Sequence, residues 1–228
     1  MNLIKKDIIL ALALASGLAA PPTTHAATIT NGSFETGFSS WVTTDLTSPH
    51  VSLAVRTNGY NSGFGFASTI ATNGAYAVSH GFDGNGPGTI IIAQDVGTID
   101  ISSATLTFDH RAGWNMLDYG GSTQDRVFSV VIRPSGGGTA IASFEILRAP
   151  FGTRNYDTGP LAATVDLSPY IGTNARISFE AYIPQNFTGP AFMQLDNVQL
   201  SNAIPEPSST LLTLLFSTGL LCRRRRHA

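Results

Sequence analysis

The chain has 228 residues and one cysteine, Cys222, which lies close to the C-terminal end. A disulfide needs two cysteines, so the remainder of the chain has neither a disulfide nor thiol chemistry. A domain without covalent cross-links has to be held together by core packing, and a bound metal is the other common means. We therefore expect a sizeable apolar core, and a bound metal would add to its stability.

Lysine is also scarce, because Lys5 and Lys6 are the only two in the chain. Between residues 27 and 204 there are seven arginines against thirteen aspartates and glutamates, which gives a net charge of −6. A domain this acidic is not expected to bind nucleic acid. The arginine run at residues 223–226 stands beside an apolar segment, so we interpret it as a topology signal and not as a nucleic-acid patch.

Helical spacing is absent from every long stretch between residues 27 and 203. Runs of β-forming residues bounded by Gly, Pro, Asn and Asp predict strands instead. We predict strands near residues 51–55, 75–79, 89–96, 104–110, 127–133, 140–147, 175–183 and 191–201. Many short strands without helices between them predict one all-β domain, an antiparallel β-sandwich. Residues 58–66 and 149–160 are predicted surface loops, which can carry a binding site.

The N-terminus has the layout of a secretory signal peptide. Lys5 and Lys6 precede an apolar run at residues 8–15, and small residues lead to Ala26. The apolar run is well short of the roughly 20 residues that a spanning helix needs. We therefore predict a signal peptide over residues 1–26, which is removed on export.

The C-terminus has a second three-part pattern. Its parts are Pro205, Glu206 and Pro207, then an apolar segment at residues 211–221, then Arg223, Arg224, Arg225 and Arg226. A short apolar segment followed by positive charges is typical of a stop-transfer signal, because the charges stay in the cytoplasm. The pattern over residues 204–228 resembles the PEP-CTERM sorting signal of Gram-negative bacteria.

The resemblance to PEP-CTERM proteins implies a partner, a location and a role. It implies that the inner membrane holds the C-terminal segment until an exosortase-like membrane enzyme processes it. It also implies a place in the cell envelope, on the cell surface or in the extracellular matrix, in association with exopolysaccharide and biofilm. A plain C-terminal anchor would use the same residues without processing.

Two motifs resemble parts of jelly-roll domains related to galactose-binding and carbohydrate-binding modules. NGSFETG at residues 31–37, followed by Trp41, is similar to the opening segment of these domains. LDNVQL at residues 195–200 is similar to their last strand. The resemblance spans most of the domain at residues 27–203 and implies a sandwich of jelly-roll type.

The same resemblance implies a structural calcium ion. In such modules the glutamate of the opening segment and an aspartate of the last strand help to hold Ca²⁺, and here these residues are Glu35 and Asp196. Calcium takes six to eight oxygen ligands, so backbone carbonyls and water would complete the shell and the ion would join the two ends of the domain. The alternative is that Glu35 caps a turn while Asp196 faces solvent.

Sugar recognition needs aromatic faces beside polar groups that bind hydroxyls. The candidates from loops and strand ends are Trp114, Tyr119 and Tyr156, and Trp41 and Tyr60 are further candidates. Residues 111–121 are predicted to form a loop after a strand, which favours Trp114 and Tyr119. The alternative is that these aromatic side chains fill the core, where they bury large areas.

The one catalytic candidate is a cluster of Asp109, His110, Arg111 and Asp118. Neither a Gly-x-Ser-x-Gly elbow nor a His-Glu-x-x-His pair occurs in the sequence. We therefore predict no enzymatic activity and a surface or matrix protein that binds polysaccharide. The alternatives are a structural envelope protein without a ligand and an enzyme that acts on polysaccharide.

Overall fold

The computed structural model describes residues 26–62, 68–119, 121 and 123–202. The predicted signal peptide, apart from Ala26, and the predicted sorting segment at 204–228 lie outside the described residues. Within those ranges, no helix has the length and apolar character that a membrane crossing requires.

The described residues form eleven strands and one 3₁₀ turn at Ser168–Tyr170. The strands are β1 (Val42–Thr44), β2 (Ala54–Thr57), β3 (Tyr76–Gly81), β4 (Gly88–Thr98), β5 (Thr105–Asn115), β6 (Arg126–Pro134), β7 (Ala142–Ala149), β8 (Arg154–Asn155), β9 (Leu161–Asp166), β10 (Asn174–Ile183) and β11 (Ala191–Ser201).

Two antiparallel sheets face each other, which confirms the predicted β-sandwich. The five-stranded sheet has the order β1-β4-β10-β6-β7, and the six-stranded sheet has the order β2-β3-β11-β5-β8, with β9 also paired to β5. From β3 to β6 each strand lies in the other sheet from the one before it. These crossings from sheet to sheet are those of a jelly roll.

The core lies between the sheets because alternate side chains of each strand point inwards. Ile177, Phe179 and Ala181 of β10 belong to the core, as does Phe108 of β5. The rings of Phe108 and Phe179 meet edge to face across the sandwich, with centroids 5.0 Å apart. Full burial of one such side chain stabilises the fold by about 1.5–3 kcal/mol.

All eight predicted strands are present, and three others were missed. β1 has three residues, all exposed, and β8 has two residues inside a predicted loop. β9 follows Pro160 and contains Ala162 and Ala163, and alanine has low β propensity. Strands that are very short or rich in alanine leave little alternation to recognise.

The connections divide between the two ends of the sandwich. One end, which we call the loop end, carries the β3–β4, β5–β6, β7–β8 and β10–β11 connections, as the pairs Gly88↔Ile183 and Trp114↔Ala191 show. The opposite end carries the β4–β5, β6–β7 and β9–β10 connections and the end of β11 at Ser201. The chain therefore leaves the last strand at the end opposite the loop end.

His80 of β3 is buried in the sandwich, with its ring edge-on to Phe82. Its Nδ1 has no hydrogen-bond partner. Burial lowers the pKa of His80 from 6.5 to about 4, although a backbone hydrogen bond with Gly81 opposes this shift. The unfolded chain therefore binds a proton more readily than the folded protein between these two pH values.

We expect the protein to lose stability as the pH falls from 6.5 towards 4, because His80 binds a proton in the unfolded state and stays neutral in the folded protein. The contribution of His80 to that loss is about 3 kcal/mol. Urea unfolding of His80→Leu and of the unchanged protein at pH 7 and pH 4.5 measures it. The free energy of unfolding should fall more for the unchanged protein than for His80→Leu between pH 7 and pH 4.5. An equal fall in both proteins would contradict a buried neutral His80 ring.

Candidate functional site

An open cavity of about 390 Å³ lies where the outer face of the five-stranded sheet meets the loop end. Its lining residues come from β6, β7, β10 and the β5–β6 and β7–β8 connections. They are Thr123, Gln124, Asp125, Val127, Arg148, Phe151 and Tyr182.

Three of these residues form one row across the sheet. Tyr182 of β10 pairs with Val127 of β6, which in turn pairs with Arg148 of β7. Residues directly opposite each other on neighbouring strands point to the same side of the sheet. Because Phe179 and Ala181 point into the core, Tyr182 points outwards and forms one wall of the cavity.

The β5–β6 connection is held over the cavity by one side-chain amide. Gln185 Oε1 accepts hydrogen bonds from the backbone N–H groups of Thr123 at 2.8 Å and Gln124 at 3.1 Å. Its Nε2 donates to Thr123 Oγ1 at 3.0 Å. The β10–β11 connection thus sets the position of the β5–β6 connection at the cavity rim.

Asp125 connects the two loops that border the cavity. Its Oδ1 accepts a hydrogen bond from the Phe151 backbone N–H at 3.0 Å, and its Oδ2 accepts one from Arg148 Nη1 at 2.9 Å. The Phe151 hydrogen bond and then the Arg148 guanidinium lower the pKa of Asp125. The cavity therefore contains an ionised carboxylate at neutral pH, with acceptor sites for ligand hydroxyl groups.

Two aromatic rings flank these polar groups. Phe151 is 53% exposed and Tyr182 is 44% exposed, and both line the cavity. Large exposed rings next to hydrogen-bonding groups are the combination that small polar ligands with apolar faces require. The cavity can therefore stack a ring-shaped ligand and bind its hydroxyl groups.

Beyond the cavity, the outer face of the five-stranded sheet is lined by small side chains at its centre. Ala93, Ser178 and Val131 lie side by side on three strands, and each is buried although it points away from the core. The ion pairs Arg133–Glu180 and Arg176–Asp95 lie next to them. The cavity thus opens onto a polar face that continues along the sheet.

The structure places the three main aromatic candidates, Trp114, Tyr119 and Tyr156, in different settings. Trp114 is only 8% exposed, packs in the core and donates a hydrogen bond from Nε1 to Thr153 Oγ1 at 3.0 Å. The expectation that Trp114 offers an exposed sugar platform is therefore wrong, because β5 continues through it and turns its ring inwards. Tyr119 and Tyr156 are exposed at the loop end.

Tyr119 and Tyr156 lie in segments that an ion pair connects. Asp118, next to Tyr119, pairs with Arg154 at 3.0 Å, and the guanidinium of Arg154 lies 5.9 Å from the centre of the Tyr156 ring. Both tyrosines therefore belong to the loop end, as the cavity does. Sugar binding by these two residues stays a prediction.

Glu35 and Asp196 meet on one turn of the β2–β3 connection. Glu35 Oε1 accepts hydrogen bonds from the backbone of Ala75 at 2.9 Å and Tyr76 at 3.1 Å. Asp196 Oδ2 accepts from the backbone of Thr72 at 2.7 Å and Asn73 at 3.0 Å. Glu35 thus caps a turn, as one alternative expected, but Asp196 is buried and does not face solvent.

Both residues carry carboxylate oxygens, which hard cations such as Ca²⁺ take as ligands. Burial raises the pKa of Asp196, although the hydrogen bonds from Asn73 and Thr72 lower it, so its charge is not fully compensated. The carboxylate of Glu35 lies so close to Gly74 that a Cβ there would overlap it. Since no three His, Cys, Asp or Glu side chains of the described ranges converge on a metal position, backbone carbonyls and water would supply the other ligands.

The candidate catalytic residues do not converge. His110 points into the core, with its ring near Phe108 and Phe128. Asp109 points the other way and accepts a hydrogen bond from Asn197 Nδ2 at 3.0 Å. Asp118 is paired with Arg154, so adjacent positions in the sequence do not place these groups in one cleft.

A buried ion pair lies beneath the loop end. Arg126, which stands between the cavity residues Asp125 and Val127, is fully buried and pairs with Asp83 at 3.0 Å. Its guanidinium also donates to the Phe82 carbonyl at 2.6 Å and to Thr188 Oγ1 at 3.1 Å. One side chain therefore joins β6 to the β3–β4 and β10–β11 connections.

Part of the cavity has a signal in the sequence. In β10, Ile177, Phe179 and Ala181 alternate with polar residues and Tyr182, which predicts an outward ring at the end of the strand. Phe151 lies in the predicted loop at residues 149–160. Its contact with Asp125 has no local sequence signal, because the two residues are far apart in the chain.

Removing one partner of the buried pair should destabilise the protein strongly, because the other charge stays buried. We expect Arg126→Met to lower the free energy of unfolding by about 3–5 kcal/mol, and Asp83→Asn combined with Arg126→Met to recover much of that loss. Urea unfolding measures both variants. Arg176→Met, which breaks the more exposed Arg176–Asp95 pair, is the control and should cost at most about 1 kcal/mol. Equal losses at the two sites would contradict the role of Arg126.

No family model matches the sequence, and no curated protein matches it. Several solved structures are similar in fold. A family 61 carbohydrate-binding module in complex with β-1,4-galactotriose is 14% identical, with a TM-score of 0.45 over 78% of this chain and 99% of that chain. The K3 cleaved adhesin domain of Lys-gingipain from Porphyromonas gingivalis is 19% identical, with a TM-score of 0.44 over 76% and 97%. A Stig cyclase from Fischerella is 18% identical, with a TM-score of 0.45 over 80% and 100%. At these identities and TM-scores, the similarities do not indicate what this chain binds.

Proposed function

We propose that the protein is an exported, non-enzymatic polysaccharide-binding protein whose site is the cavity at the loop end. The observation that carries the proposal is the placement of two exposed rings, Phe151 and Tyr182, beside the ion pair Asp125–Arg148. The cavity opens along the polar outer face of the sheet, so a chain of sugar rings could extend from it.

In the proposed binding mode, aromatic rings contact the sugar ring and polar groups bind its hydroxyl groups. The apolar face of a sugar ring would stack on Tyr182 or Phe151, which removes apolar surface from water. Its hydroxyl groups would bind to the carboxylate of Asp125 and the amide of Gln124. The loops are held by Gln185 and Arg126 before a ligand arrives, so little ordering is needed on binding.

Export and sorting form the second part of the proposal. The signal-peptide pattern at residues 1–26 and the PEP-CTERM-like pattern at residues 204–228 support it, and the partner would be an exosortase-like enzyme at the inner membrane. Strand β11 ends at Ser201, at the end opposite the cavity. A chain held through its C-terminal segment would therefore keep its cavity pointing away from the point of attachment, towards polysaccharide at the cell surface or in a biofilm matrix.

Replacing the two cavity rings should abolish most of the binding. We expect Phe151→Ala combined with Tyr182→Ala to weaken polysaccharide binding by about tenfold or more, which corresponds to ~1.4 kcal/mol. A polysaccharide array followed by affinity electrophoresis on the polymers that bind measures the effect. Tyr76→Ala, which removes an exposed tyrosine away from the loop end, is the matched control and should bind like the unchanged protein.

A second double variant, Tyr119→Ala with Tyr156→Ala, locates the site. Loss of binding only in this variant would move the site from the cavity to these two tyrosines. If the unchanged protein binds no polysaccharide at all, the proposed binding is wrong, and the alternative of a structural envelope protein without a ligand is favoured.

We also propose that Glu35 and Asp196 hold a structural calcium ion. The ion would supply the positive charge that the buried carboxylate of Asp196 lacks, and it would strengthen the contact of both residues with the turn at residues 72–76. The proposal rests on the resemblance of the two motifs and on the contact of both carboxylates with one turn, at residues 72–76.

Calcium should raise the melting temperature, because a ligand that binds only the folded state stabilises it. We expect a rise of about 5–10 °C at a calcium concentration about 100 times Kd, compared with chelator. Glu35→Gln should remove most of that rise, whereas Glu145→Gln at the far edge of the five-stranded sheet should not. Equal melting temperatures in calcium and in chelator would show that hydrogen bonds alone join these segments.

A further inference from the structure

The positive charges of the domain are nearly all neutralised within the fold. Residues 26–202 contain seven arginines and no lysine, and the residues within this range that the structure leaves undescribed are uncharged. Six of the seven arginines form ion pairs with carboxylates. The pairs are Arg111–Asp157, Arg126–Asp83, Arg133–Glu180, Arg148–Asp125, Arg154–Asp118 and Arg176–Asp95.

Three of these pairs are two-point pairs, in which a carboxylate already occupies two N–H groups of the guanidinium: Arg111–Asp157, Arg133–Glu180 and Arg176–Asp95. Arg111 holds both oxygens of Asp157 at 2.7 Å through Nε and Nη2. Arg176 holds Asp95 in the same way, at 2.9 and 2.7 Å. A two-point pair takes up two of the five N–H groups of the guanidinium and balances its charge, so a second anion would gain less from that arginine.

The cavity follows the same pattern. Arg148 is the one cation among its lining residues, and it is held by two carboxylates, Asp125 at 2.9 Å and Glu145 through Nε at 2.8 Å. Hydrogen bonds from Phe151 and Arg148 lower the pKa of Asp125, and those from Arg148 lower the pKa of Glu145. The group of three side chains therefore has a net charge of −1 at neutral pH.

A charged ligand would meet an unfavourable field at this position. A uronate, sulfate or phosphate group would have to approach two carboxylates, or displace one of them from Arg148, inside a domain whose net charge is already negative. A neutral sugar has no such cost, because its hydroxyl groups can donate hydrogen bonds to Asp125 while its ring stacks on Phe151 or Tyr182. The charges at the cavity thus favour uncharged polysaccharides over acidic ones, whatever the type of sugar.

We infer that the cavity binds an uncharged polysaccharide and rejects polymers that carry uronate, sulfate or phosphate groups. This inference rests on the proposed function, since it names the class of ligand for the same site. It also predicts that binding depends little on salt, because no ion pair forms between the protein and its ligand.

The test is affinity electrophoresis of the whole exported protein on two sets of polymers, at about 0.05 and 0.5 M salt. The first set contains neutral galactan, glucomannan, xylan and β-glucan, and the second contains polygalacturonate, alginate and a sulfated galactan. We expect retention by at least one neutral polymer, by none of the acidic ones, and with less than about a threefold change between the two salt concentrations.

The outcomes separate the two proposals. Retention by an acidic polymer that weakens steeply with salt would overturn the inference and keep the proposed polysaccharide binding. Absence of retention on every polymer, neutral and acidic, would overturn the proposed function itself and the inference with it.

A variant of the protein that lacks one negative charge tests the same inference. Glu145→Gln leaves Arg148 with a single carboxylate, and Glu145 is not among the residues that line the cavity. We expect this variant to bind the neutral polymer within about threefold of the unchanged protein and to gain weak, salt-sensitive retention on polygalacturonate. Asp166→Asn makes the same change in net charge on β9, in the other sheet, and should gain no retention. Equal gains in both variants, or none in either, would contradict control of ligand charge by the Arg148 group.

Discussion

The buried ion pair between Arg126 and Asp83 is the contact on which the loop end depends. The guanidinium reaches the Phe82 carbonyl, the Asp83 carboxylate and the Thr188 hydroxyl, and so joins three segments that are distant in the sequence. Burying two charges removes both from water, and the attraction between them only partly offsets that penalty. A hydrophobic contact could stabilise the fold as well, but it would not fix the direction of Asp125 and Val127 on either side of Arg126. We therefore interpret the ion pair as the contact that fixes the positions of Asp125 and Val127.

The same reasoning favours arginine over lysine in this domain. The domain needs cations that stay in place next to carboxylates, and a planar guanidinium binds a carboxylate at two points where an ammonium group binds at one. Arg111, Arg133 and Arg176 each use this two-point geometry. A domain without disulfides gains fixed side-chain geometry in this way. The negative surface charge that remains is a consequence of having thirteen acidic residues and only seven such cations.

The strands could be predicted from the sequence because their signal is local. Alternation in β10, from Ile177 to Ile183, marks the inward face without knowledge of any partner strand. In β5 the alternation continues beyond residue 110, where the predicted strand ends, because β5 extends to Asn115 and carries Trp114 into the core. Residues 111–115 of the loop predicted at 111–121 belong instead to a paired strand, in which Gly113 lies opposite Phe192. Sheet pairing overrode the local preference.

The cavity could not be predicted in the same way, because its geometry comes from contacts between distant segments. Gln185 holds residues 123 and 124, and Asp125 holds Phe151, at separations along the chain that no periodic pattern records. The motifs that did carry a resemblance, around Glu35 and Asp196, lie where the first and last segments of the domain meet. That junction closes the fold and can be kept while the loops change. Motifs that identify a sandwich are therefore informative about its architecture, whereas the proposed binding site depends on loop-end residues, which come from two connections and from the ends of three strands.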